Sequence, residues 1–89
     1  MTEAWLKCET YRGLYPGEVG VETETKDGQP LSLFVGPDLV DTDQGLLRVR
    51  LLEQAPDGYW ISLPAQALQV IGRAVKVAAE QLRLIPSPA

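Results

Sequence analysis

Any chemistry this chain performs has to be done without histidine, since its 89 residues contain none. That removes the side chain most often used to move protons near neutral pH and the commonest transition-metal ligand. The single thiol, Cys8, has no imidazole to activate it. It alternates with Leu6, a spacing that makes it a small apolar side chain facing a core. Ser32 and Ser62 lie inside strand-like runs and Ser87 lies in a proline-flanked end. No Gly-x-Ser-x-Gly elbow, phosphate loop or dinucleotide fingerprint occurs in the sequence. The stretch "DLVDTDQG" places Asp41, Asp43 and Gly45 much as a calcium loop begins. Its glycine comes one place early and Leu52 stands where the closing glutamate belongs, so it reads as an acidic surface loop. The chain is therefore expected to be non-catalytic, with no metal and no cofactor.

Residues suited to binding are easier to find. Strand alternation puts Phe34 on the same face as Ser32, and Trp60 on the same face as Ser62, both opposite the leucine-rich side. Trp5 shares its face with Lys7 and Glu9 in the same way. Rigid aromatics on a polar face bury large area at low entropic cost, which makes Trp60, Phe34 and Trp5 candidate partner anchors. The competing reading places them over a second small core. Arg48, Arg50 and Lys76 fall on outer strand faces, and with Arg73 they form a weak basic face that suits phosphate or an acidic partner. The competing reading there is a solvated face paired across a sheet with Glu22 and Glu24.

The elements that must position these residues are short. "AWLKCETY", "VGVETET", "PLSLFV", "LLRVRLLE" and "YWISL" each alternate with a period of two. Glycine, proline and aspartate separate them. "KDGQ" and "QAPDG" are the turns expected to close hairpins. The last third, "ISLPAQALQVIGRAVKVAAEQLRLIP", admits two readings. Leu68, Ile71, Val75, Ala78, Leu82 and Ile85 fit a helical seam that Pro86 would stop. Gly72 and the β-branched residues Val70, Ile71, Val75 and Val77 oppose a helix. Residues 61–71 and 75–85 also repeat one pattern, a strand followed by a tight turn that returns Leu68 or Leu82 to the core. The favoured expectation is an all-β fold, a small SH3-like barrel of five or six short antiparallel strands with 3₁₀ corner turns. The alternative is an α+β fold, a five-stranded antiparallel sheet with a C-terminal helix at about residues 64–85. One domain is expected over residues 1–85, with a frayed tail at 86–89.

Composition narrows the partners. Net charge is −4, with nine acids against three bases in residues 1–45 and three against five in residues 46–89. An acidic chain is poorly suited to general nucleic-acid or anionic-membrane binding. A lone cysteine, no apolar run long enough to span a bilayer and no leader-like start lead to the expectation of a cytoplasmic protein. The expected function is a non-catalytic protein-interaction module or small accessory subunit, with self-association as a homodimer one form of it. A nucleic-acid-binding barrel using the basic face is the alternative.

Overall fold

The computed structural model describes residues 2–84. Their strands are β1 (Glu3–Lys7), β2 (Glu9–Arg12), β3 (Val19–Glu24), β4 (Pro30–Val35), β5 (Val40–Asp41), β6 (Leu46–Ala55), β7 (Gly58–Ser62), β8 (Ala74–Val77) and β9 (Leu82–Leu84). They form two antiparallel sheets. The larger runs in the order β8-β7-β6-β1-β9, with β5 also pairing on β6, and the smaller runs β2-β3-β4. The fold is all-β, as the alternating runs predict. The strand segments outnumber the expected five or six partly because the run "AWLKCETY" is divided between sheets. At Cys8 the backbone leaves the ladder, donating its N–H to the Gly45 carbonyl at 2.9 Å, so that β1 belongs to the larger sheet and β2 to the smaller.

The buried face of each strand follows its alternation. Leu6, Leu47 and Ile61 from the larger sheet meet Val21, Leu31 and Leu33 from the smaller, each fully buried, in one core cluster. Few polar bonds tie the sheets together. The Thr23 hydroxyl donates to the Lys7 carbonyl, the Gln81 amide to the Glu24 carbonyl, and the Lys26 N–H to the Lys76 carbonyl. In the β3–β4 hairpin expected at "KDGQ", Gly28 donates to the Thr25 carbonyl at 3.0 Å and adopts φ +84°, the positive φ that glycine accepts without strain. In the β6–β7 hairpin, Ala55 pairs with Gly58 around Pro56 and Asp57, and a bulge at Leu52 shifts the register farther along.

The C-terminal third contains no α-helix over residues 64–84, which overturns the α+β alternative. The helical seam fails because its residues serve different surroundings: Val75 is buried on β8, whereas Leu68 and Ile71 are 74% and 103% exposed. The leucine-plugged corner is half corrected as well. A 3₁₀ turn at Ala79–Gln81 does deliver Leu82 against the core, and another at Pro37–Leu39 does the same for Leu39. Residues 64–73 instead form an open loop, and Ala67 takes the inward position expected of Leu68. The cause is local. The Leu68 N–H is drawn to the Ser32 carbonyl at the edge of β4, and the Gln69 side chain bonds both the N–H and the hydroxyl of Ser32. Tying the loop along that edge satisfies exposed backbone groups and turns the leucine outward. The expected tail at 86–89 lies outside the described residues.

Candidate functional site

Residues directly opposite each other on antiparallel strands share a face, so the register assembles the outer surface of the larger sheet. Trp60 on β7 stands opposite Lys76 on β8, and opposite Glu53 on β6. Ser62 faces Arg50, which faces Glu3. Trp5 on β1 lies between Arg48 on β6 and Arg83 on β9. With Lys7 beside Trp5 on β1, two tryptophans and five cations thus occupy one face, together with Glu3 and Glu53. Arg83 was missed by the sequence reading, although the alternation Leu82-Arg83-Leu84 carries the signal.

Each indole has a cation beside it. The Arg48 guanidinium lies 5.9 Å from the Trp5 ring centre, and the Lys76 ammonium 5.7 Å from the Trp60 ring. Such contacts contribute about 0.5–1 kcal/mol at exposed sites. Both cations are also pinned by acids. Arg48 Nε donates to Glu3 Oε2 at 2.8 Å, and its terminal nitrogen reaches the same oxygen. Lys76 Nζ donates to both Asp57 oxygens at 3.2 Å. Asp57, in the β6–β7 turn, has its pKa held below the ordinary carboxylate value chiefly by that Lys76 hydrogen bond, with the Lys26 charge assisting. The expected pairing of Arg48, Arg50 and Lys76 with Glu22 and Glu24 is therefore corrected: those glutamates are on the smaller sheet, whereas Glu3 holds Arg48, Asp57 holds Lys76, and Arg50 forms no ion pair among the described residues.

The proposed anchors do not form one patch. Trp5 and Trp60 share the larger sheet, and Trp60 is 39% exposed. Phe34 lies on the outer face of the smaller sheet, half-buried edge-on to Tyr11 with ring centres 6.2 Å apart. That sheet's outer face also carries Glu9, Glu22 and Glu24, with Glu9 directly opposite Glu22. The two sheets thus present opposite charge.

Three of the four basic candidates converge. Arg48, Arg50 and Arg73 line one notch of about 270 Å³, together with Ser62 and Glu3. Lys76 lies apart from it, beside Trp60. Arg73 reaches the notch because its carbonyl accepts the Leu63 N–H at 2.9 Å where the loop returns to the sheet.

Residues with reactive potential have structural roles. Cys8 is packed against the core, and burial pushes its thiol up to about 11. Asp41 Oδ1 accepts the N–H groups of Asp43 and Gln44, both at 3.1 Å, and Oδ2 accepts the Gln44 amide, so this carboxylate shapes its own loop. Among the described residues, no three of His, Cys, Asp or Glu cluster as metal ligands, and no helix is long and apolar enough to cross a membrane. No family model, curated protein or solved structure matches this chain.

Proposed function

We propose that the protein is a non-catalytic interaction module that docks an acidic segment of a protein partner on the outer face of its larger sheet. The observation that carries this reading is the placement of Trp5 and Trp60, each with its own cation, on a face that also bears Arg50 and Arg83. Aromatic area supplies the binding energy and the cations select the partner's charge. Trp60 and Trp5 are the anchors in this reading, and Phe34 is not. An SH3-like small open barrel goes with it, supported by the strand that bends between sheets at Cys8 and by the 3₁₀ turn before β9. The free cysteine suits a cytoplasmic setting.

One observation favours a second reading. Indoles and guanidinium groups on one sheet face also make a stacking platform for single-stranded nucleic acid. Against it stands the net charge of −4, where nucleic-acid binders carry a cationic surplus. Tryptophan emission separates the two. Titration with a glutamate-rich peptide at physiological salt should shift the emission saturably, and a single-stranded oligothymidylate should have little effect. No response to the peptide overturns the docking proposal, and tighter binding of the oligonucleotide replaces it with the second reading.

A further inference from the structure

The ladder of the larger sheet has a gap. On one side of β6, Leu47 pairs with Val40 of β5, and pairing with β7 begins only at Arg50 and Ser62. Arg48 and Val49 between them have no strand partner on that side, and the opening is the notch of about 270 Å³. Leu39 and Pro64 supply apolar wall, and Pro64 offers no N–H.

The charge around this opening is unbalanced. Arg48, Arg50 and Arg73 line it, and Glu3 is the one acid among the lining residues. Glu3 is already engaged by Arg48. Arg50 and Arg73 form no ion pair among the described residues. Like charges held round one opening repel, and an anion between them converts that repulsion into attraction. Guanidinium groups bind carboxylate and phosphoryl oxygens through paired N–H donors, so the residue type fits as well as the charge. The volume is just below the roughly 300–1,000 Å³ of sites that enclose whole organic ligands, which fits one anionic group and not a cofactor.

We propose that this notch binds a single oxyanion group, phosphoryl or carboxylate, with Arg50 and Arg73 as its ligands. The Ser62 hydroxyl is a further donor, and Glu3 holds Arg48 in place as a positioning pair. The inference rests on the docking reading for what carries the anion, namely the acidic partner segment. Its physical claim is tested with free ions, so that the two can fail separately.

The experiment is an amide and arginine side-chain NMR titration of the full chain with sodium phosphate and, separately, sodium acetate, at ionic strength fixed with chloride. Saturable shifts confined to Arg48, Val49, Arg50, Ser62, Leu63 and Arg73, with millimolar midpoints, are expected. A preference for phosphate of about tenfold or more identifies the carried group as phosphoryl, and comparable affinities identify it as carboxylate. Arg50→Gln and Arg73→Gln should each weaken binding at least about fivefold while leaving Tm unchanged, since both residues are exposed and form no ion pair among the described residues. Lys7→Gln, a charge change outside the notch, should leave the midpoint where it was. Shifts that rise linearly and equally with chloride overturn the site, as does an effect of the arginine substitutions no larger than that of Lys7→Gln. A saturable titration without any peptide response in the emission assay keeps the anion site and removes only its assignment to a docked segment.

Discussion

Trp60→Ala tests whether the indole is docked or free. Trp60 keeps 39% of its reference exposure, so 61% is covered (100 − 39). A tryptophan buries up to about 250 Å², so about 150 Å² of it is removed from water here. At about 25 cal/mol per Å² that is worth close to 4 kcal/mol. Residual compactness of the unfolded chain lowers this by roughly 10–40%, and the alanine retains part of the contact, which leaves about 2–3 kcal/mol. The contact with Lys76 is included in that loss, and a double-mutant cycle with Lys76→Met should isolate about 0.5 kcal/mol for it. For a domain of this size the expected fall in Tm is roughly 10–20 °C. Thermal and urea unfolding followed by far-UV circular dichroism measure it directly. A Tm within about 3 °C of the parent would refute the reasoning, because it would mean that the covered surface of Trp60 contributes nothing to the fold.

Three further outcomes follow from local geometry. A Cβ at Gly58 would lie 2.3 Å from the Val77 carbonyl oxygen, so Gly58→Ala must separate β7 from β8 and should cost at least about 2 kcal/mol in urea unfolding; an unchanged midpoint would contradict that close approach. The Cys8 thiol, pushed from 9.0 to about 11, should react with iodoacetamide at pH 8 about a hundredfold more slowly than an unhindered cysteine. Because burial favours the neutral thiol, its contribution to stability is present below pH 9 and is lost as pH rises towards 11; equal alkylation rates in the folded and urea-unfolded chain would show the group to be open. Asp57 has the opposite sign: its lowered pKa adds stability above the ordinary carboxylate range that is lost as pH falls through the folded value. The stability gap between the parent and Asp57→Asn should therefore close on acidification, and a gap independent of pH would rule out the Lys76 and Lys26 clamp.

Period-two alternation made the strand faces legible because each strand buries one side only. Ala4 and Leu6, Leu31 and Leu33, and Ile61 and Leu63 all face inward as their spacing requires. The hairpin at "KDGQ" was legible for a similarly local reason, since only glycine adopts the Gly28 conformation without strain. Long-range facts were not legible. Whether Arg48 finds Glu22 or Glu3 depends on which sheet each strand joins, and that turns on the backbone break at Cys8, where "AWLKCETY" continues its alternation without a mark. Leu68 shows a second limit. Its apolar type fits a core corner, but the Leu68 N–H and the Gln69 side chain answer exposed groups on β4, a demand that arises only once the sheets are assembled. The notch escaped for the same reason, being the space between the ends of two strands far apart in the chain.

The uneven charge visible along the sequence becomes a partial spatial division because three consecutive strands of the acidic half stay together, while β1 and β5 join the larger sheet. β2, β3 and β4 are consecutive and form their own sheet, whose glutamates Glu9, Glu22 and Glu24 outnumber its one cation, Arg12, although Lys7 of β1 borders the same hollow as those glutamates. Arg48, Arg50, Lys76 and Arg83 arrive later, on β6, β8 and β9, and join the larger sheet. The molecule is thin, measuring 38 × 33 × 19 Å along its principal axes. Screening decides what an approaching anion feels. At about 0.15 M salt the Debye length is near 8 Å, less than half of the 19 Å thickness, so a ligand at the arginine face is governed by that face. At about 0.01 M the Debye length is near 30 Å and the acidic sheet is felt through the whole domain. The acidic sheet therefore opposes capture of an acidic segment more at very low salt than at physiological salt, and the gain in affinity on lowering the salt should be smaller than for a uniformly basic protein. Selectivity for a short acidic segment over a long polyanion follows from the same geometry, since only the short one can sit on the cationic face without meeting the glutamates behind it.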